Sequence, residues 1–163
     1  MLVSADGRLL WKDREYRCAL GKNGVTAHKK EGDGATPVGC FPVRKILYRS
    51  DRMEKPTTDI LLEPIAPTDG WCDDSNDDNY NRLVMLPYHA SHERLWREDN
   101  LYDLIVVLGY NDEPPIPGKG SAIFMHVARP NYTPTAGCIA LALSDLLEII
   151  KTINQSTRVC MYE

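Results

Sequence analysis

A chain of 163 residues, 43% hydrophobic and 26% charged, is long enough to bury a substantial core without metal or disulfide staples. Its net charge of −4, with no basic stripe to displace counterions from phosphates, argues against nucleic acid, and no apolar run approaches the ~18 residues that would span a bilayer. The opening MLVSADGRLLWKDREYRC has no cationic start, no apolar h-region and no small-residue cleavage site, which predicts a cytoplasmic protein; a periplasmic one would need a route not visible in the sequence.

Taken in chain order, short β-favouring runs alternate with turn punctuation, the pattern of a mainly β domain of mixed, sandwich-like sheets with one or two short helices. Strands are expected at 2–4, 8–12 and 15–20. GKNG (21–24) turns the chain, His28 falls in an exposed TAHKK turn, and EGDGATPVG (31–39) forms a loop before a strand at 40–48. APTDGW (66–71) leads into the acidic run WCDDSNDDNYN (71–81). As a calcium loop starting at Asp73, that run would need Gly at 78 and Glu at 84, where Asp78 and Val84 stand; starting at Asp74 puts Asn79 and Met85 there instead. A solvated Asx-rich loop fits better, with Trp71 and Cys72 either lining a pocket or anchoring the loop.

A strand at 83–87 is followed by SHERLWRE (91–98), read as a helix capped by Ser91, with His89 and His92 in surface or capping roles. The apolar strand 104–110 closes on Tyr110 and Asn111, which either point polar groups into a cleft or simply end the strand in a turn. NDEPPIPGKG (111–120) is a loop, and a strand follows at 121–128. A helix over 144–154 opens on Ser144 and Asp145 and buries Leu146, Ile149, Ile150 and Ile153; a strand at 157–162 ends the chain. There is no repeat, linker or low-complexity tract, so residues 1–163 are expected to form one domain, as a monomer.

The five cysteines (18, 40, 72, 138 and 160) are an odd number with no C-x-x-C pair and no histidine at zinc-finger spacing. Cys18, Cys40 and Cys160 lie in strand-like text and read as small buried hydrophobes. Cys72 and Cys138 lie at loops. Cys138 ends the stretch FMHVARPNYTPTAGC (124–138), in which an alternating run delivers His126 near a strand end. The two prolines of RPNYTPT then stiffen a loop, and Gly137 permits close approach of a substrate. Cys138 opens the apolar IALAL. A thiol returned opposite a histidine suits acyl transfer: imidazole takes the proton, thiolate attacks a carbonyl, and backbone amides stabilise the oxyanion. On spacing alone, such a pair is more often two core residues.

The stretch resembles the active-site motif of the YkuD-type L,D-transpeptidases, in which a strand histidine precedes Ser/Thr-x-Gly-Cys; here these are His126 and Thr135-Ala136-Gly137-Cys138. A second block, KKEGDGATPVGCFPV (29–43), is similar to the family's Gly-Asp-x-x-Thr-Pro-x-Gly-x-Phe stretch, so the resemblance covers essentially the whole chain. It implies a YkuD-like fold and a cysteine nucleophile acting on peptidoglycan stem peptides or soluble muropeptides, with no metal or organic cofactor. It also implies Cys138 as nucleophile, His126 as base, the Val127 carbonyl as orienter of the imidazole, and the amides of Gly137 and Cys138 as oxyanion donors. Thr135 belongs to the same substrate-facing motif.

Two departures stand out. Ala136 replaces the ionisable residue common before Gly-Cys, and Ala140-Leu141 replace a polar pair, which leaves Arg129 as the candidate cation for substrate carboxylates. Three functions fit: a cross-linking transpeptidase, a cytoplasmic L,D-carboxypeptidase of recycled tetrapeptides that uses water as acceptor, and a non-catalytic wall-fragment binder. The last sits poorly with the presence of both His126 and Cys138.

Overall fold

The alternating N-terminal text folds as a meander of three strands, β1 (Leu2–Ser4), β2 (Arg8–Trp11) and β3 (Arg14–Ala19), in a computed structural model that describes residues 1–162. The Gly-Asp block is held by a small parallel pair, β4 (Val25–Thr26) and β5 (Thr36–Pro37). It runs into the long β6 (Gly39–Tyr48), followed by β7 (Leu62–Pro64). Next come β8 (Asp69–Cys72), β9 (Leu83–Met85) and β10 (His92–Arg94), a separate three-stranded sheet with β8 in the middle. The last elements are β11 (Leu104–Leu108), β12 (Phe124–Val127), β13 (Ile139–Leu141), the helix α1 (Leu143–Ile150) and β14 (Arg158–Tyr162).

Nine strands form one mixed sheet in the order β11-β12-β13-β3-β2-β1-β14-β6-β7. Strand β6 pairs with β14 through its first half and with both β11 and β7 through its second, so the ladder of pairings closes on itself. Such a strand must be apolar on both faces where it crosses between layers, and so must its partner β11, whose LIVVL run is buried throughout. Leu104, Val106 and Leu108 face the larger core with Val3, Leu9, Ile46, Met125, Leu141 and the helix residues Leu146 and Ile149. Ile105 and Val107 face a smaller core with Leu47, Trp71, Leu95 and Phe124, and Cys138 belongs to that second cluster. No helix among the described residues is long and apolar enough to cross a membrane.

The mainly β architecture agrees with the sequence reading, and several details correct it. SHERLWRE is not a helix: His92–Arg94 pairs antiparallel with β8, His92 opposite Cys72. Eight residues hold a helix only when an apolar face packs it, as in α1; here β8 offers a ladder instead, and Leu95 is fully buried at the strand end with Trp96 partly buried beside it. Helix α1 stops at Ile150, and Ser144 does not cap it; Ala142 stands at the cap position without a side-chain bond, while Ile153 is buried in the turn beyond. Strands β4, β5, β7, β8 and β13 were not expected: each is two to four residues long and contains or lies within two residues of a Gly or Pro that reads as turn text.

Cys40 and Cys160 are not buried hydrophobes but a disulfide, joining directly opposed residues of β6 and β14. The bond spans 120 positions of sequence, so its loss should lower unfolding free energy by about 2–5 kcal/mol. Urea denaturation of Cys40→Ser should show this as a lower midpoint, with the Cys138 alkylation rate unchanged; an unaltered midpoint would mean that the cross-link contributes nothing.

Candidate active site

Strands β12 and β13 run parallel, with Met125 opposite Ile139, His126 opposite Ala140 and Val127 opposite Leu141. Extending that register by one residue places Cys138 level with Phe124, and the Phe124 amide indeed donates to Cys138 Sγ at 3.4 Å. Side chains alternate along a strand, and paired residues of a parallel ladder share a face, so His126 and Cys138 emerge on the same side. Both line one cleft of about 560 Å³.

The loop between them is clamped at its far end. The Thr135 amide donates to the Leu20 carbonyl at 2.8 Å, and the Lys22 amide donates to the Thr135 carbonyl at 2.9 Å. Thr135 Oγ1 donates to the Cys138 carbonyl at 2.7 Å and accepts the Gly137 amide at 3.0 Å. Gly137 has φ +143°, and a Cβ there would lie 2.9 Å from the Ala35 carbonyl oxygen. The two sequence blocks thus meet backbone to backbone, and glycine is needed at the junction. Ala35 is itself fixed by Asp33, whose carboxylate accepts the Ala35 amide at 2.9 Å and the Lys30 amide at 2.7 Å.

His126 Nδ1 lies 2.9 Å from the Val127 carbonyl. A carbonyl only accepts, so Nδ1 carries the proton and Nε2 keeps its lone pair. Burial lowers the imidazole pKa to about 4, and burial pushes the Cys138 thiol up to about 12. Instead of being a thiolate, the thiol is therefore neutral at rest, donating to the Ala122 carbonyl at 3.2 Å. Ala122 sits at φ +50°, held there by Asn81: its amide donates to Asn81 Oδ1 at 3.0 Å, and Trp71 Nε1 donates to the same oxygen at 2.9 Å. Asn81 Nδ2 then donates to the carbonyls of Tyr110 and Asn111. Sequence reading did not single out Asn81; a buried asparagine that ends an Asx-rich run was the only signal.

Other expected residues divide. Arg129 and Thr135 line the cleft, Arg129 exposed and without an ion pair among the described residues. Tyr110 and Asn111 are not part of the lining. Asn111 clamps the loop that follows, its side chain bonding the Ile116 and Gly120 backbone, and Tyr110 packs edge-on to Phe41. Trp71 anchors the acidic loop against Phe124, and Cys72 is fully buried. The Gly137 amide is already bonded to Thr135 Oγ1, whereas the Cys138 amide has no hydrogen-bond partner among the described residues.

Cleft residues that the sequence did not reveal include His92, Glu93, Arg97 and Tyr102. Tyr102 stands edge-on to the His126 ring at 5.3 Å and donates its hydroxyl to Glu93 at 2.5 Å. Arg97 lies 5.3 Å from the Tyr102 ring and is held by Asp99.

Residues 1–161 match the family described as YkuD, L,D-transpeptidase catalytic domain. No curated protein matches the chain.

An unfolded histidine titrates near ~6.5, whereas His126 in the fold refuses a proton down to about 4. Between those values the unfolded state binds the extra proton, so this group's contribution to stability is intact above the upper value and is lost as pH falls toward the lower one. Thermal melts of His126→Gln should therefore lose less stability than the unaltered chain between pH 6.5 and 4, by on the order of 3 kcal/mol at the acid end. Parallel pH profiles for the two proteins would show instead that the imidazole is solvated.

Proposed function

Because the chain belongs to the L,D-transpeptidase catalytic-domain family, we propose that it is a thiol acyltransferase of peptidoglycan stem peptides, with Cys138 as nucleophile and His126 as base. The observation that carries this reading is the pair itself: a thiol and an imidazole on neighbouring parallel strands, opening on one cleft, with Nδ1 tied back to the Val127 carbonyl.

In this reading a tetrapeptide stem lies across the cleft with the carbonyl of its L-centre above Sγ. The thiol proton leaves the Ala122 carbonyl and passes to His126 Nε2 as the S–C bond forms. The oxyanion is held by the Cys138 amide. Collapse breaks the C–N bond to the terminal D-alanine, and the imidazolium returns its proton to the departing amine. The thioester is then resolved, again with His126 as base, by an amine to give a cross-link or by water to give a tripeptide. Arg129, at the rim, supplies a guanidinium for a substrate carboxylate.

A neutral resting pair sets the pH behaviour. The imidazole is lowered to about 4 and the thiol raised to about 12, in each case first by burial. The acid limb of kcat/KM should accordingly fall near pH 4. Alkylation by a small neutral reagent, which needs thiolate and no base, should rise about tenfold per pH unit across the neutral range. A flat alkylation rate from pH 5 to 9 would reveal a thiolate–imidazolium pair instead.

Incubation with purified disaccharide-tetrapeptide, followed by mass spectrometry, separates the outcomes. A mass corresponding to the tripeptide denotes hydrolysis, a dimer denotes transpeptidation, and no loss of D-alanine refutes both. Cys138→Ala should abolish turnover. His126→Ala should lower acylation by about 10²–10⁴-fold, mainly in the rate constant, and retention of near-full acylation would leave the histidine a structural residue only.

A further inference from the structure

The cleft has a wall that the thiol chemistry does not use. Glu31, from the Gly-Asp block, Asp73, from the acidic loop, and Glu93, from β10, all line it. None makes an ion pair within 4 Å among the described residues: of the cations that line the cleft, Lys29 is bound to Asp33 at 2.5 Å and Arg97 to Asp99 at 2.7 Å, and Lys22 and Arg129 pair with none of the three carboxylates. From other segments Glu31 and Glu93 each accept one tyrosine hydroxyl, from Tyr80 and Tyr102 respectively, at 2.5 Å, and Glu31 also accepts the adjacent Gly32 amide at 3.2 Å. Burial raises the Glu93 carboxyl, against the Tyr102 hydrogen bond and Arg97, which lower it, and Asp73 and Glu31 add to the rise.

Two polar atoms of this wall are shielded and have no partner: Asp73 Oδ1 and Ser121 Oγ. Ser121 is 8% exposed and lines the same cleft. A buried polar atom left unbonded costs free energy, and a ligand group that meets it removes that cost. The side chains do not converge as metal ligands, since no group of three acidic, histidine or cysteine residues among the described ones could hold an ion. A primary ammonium is the complementary group: one positive charge with three donors that reach separated acceptors.

We propose that Asp73 and Ser121, with Glu31 and Glu93 behind them, form a subsite that receives a primary ammonium carried by the stem peptide. The identity of the carrier rests on the acyl-transfer reading above; the ammonium itself rests on the wall. Two sources share this chemistry: a side-chain amine of the donor's third residue, and the acceptor amine, which docks as ammonium and must pass one proton to a carboxylate of this wall before its nitrogen can attack the thioester.

Calorimetry on the full chain carrying Cys138→Ala, with two tetrapeptides ending in D-alanine, tests the donor source. In one peptide the third residue's side-chain amine is free, and in the other it is acetylated. Asp73→Asn should weaken the free-amine peptide about tenfold and leave the acetylated one within twofold, and Ser121→Ala should act in the same sense by about threefold. For the acceptor source, the acyl-enzyme of the Cys138-containing chain is resolved with increasing concentrations of a peptide amine. Asp73→Asn should then raise the half-saturating concentration about tenfold. A response in either arm supports the subsite and names the source. No response in either, or equal losses on free and acetylated peptides, overturns it. Each substitution, made also in the Cys138-containing chain, is to keep the thermal melting point of that chain, which reports an intact fold. Amine-dependent binding with no turnover by the unaltered chain would end the acyl-transfer reading and leave the subsite standing. Turnover indifferent to Asp73, Ser121 and the amine would do the reverse.

Discussion

The parallel pairing of β12 with β13 is the constraint on which the candidate site depends. Two parallel strands cannot be joined by a tight hairpin, so the chain must leave β12, travel, and re-enter alongside in the same direction. The segment from Ala128 to Cys138 makes that journey without an α-helix, which explains its composition. Proline, a 3₁₀ turn at Pro130–Tyr132 and positive φ at Asn131 and Tyr132 reverse the chain, and the Arg17 guanidinium packs on the Tyr132 ring. Thr135 and Gly137 then set the return. A slip of one residue in the β12–β13 register would turn Cys138 to the opposite face from His126, so everything that fixes the register also fixes the chemistry.

That fixing comes at a cost in reactivity. Cys138 is packed among Phe124, Trp71 and Leu95 in the smaller core, and the same burial that holds the sulfur also suppresses its ionisation. His126 is suppressed in the opposite sense. The fold thus stores an uncharged donor–acceptor pair where an ion pair would have to be desolvated, consistent with the penalty on isolated charges in apolar surroundings. Among the described residues no hydrogen bond joins the two groups; the thiol is turned toward Ala122. Reactivity is then conditional on something in the cleft that turns the thiol toward the imidazole.

How much of this was legible depends on the distance over which each feature is encoded. His126, the Val127 carbonyl and Cys138 lie within thirteen consecutive residues, and period-two alternation plus a stiff loop already puts them together. The opposite wall of the cleft is not local. Glu93 reaches it only because β10 pairs with β8, and SHERLWRE by itself carries a helix-like pattern with a plausible cap; the ladder that overrides it comes from residues some twenty positions away. Cys40 and Cys160 illustrate the same limit, since each sits in good strand text and only the β6–β14 register makes them opposite. Asn111 was legible as a polar group at a strand end but not as to its direction, which the following loop decides.

The cross-strand cystine has a topological consequence. With Cys40 joined to Cys160, the segment between them is a covalent ring that contains Asp73, Asn81, Glu93, His126 and Cys138, whereas the meander β1–β3 and the Gly-Asp loop hang outside it. A protease that cuts once in an exposed turn within the ring, such as the one around Gly118, would therefore release no fragment. The nicked protein would migrate as an intact chain until a reductant was added, and the two halves of the cleft would stay tethered.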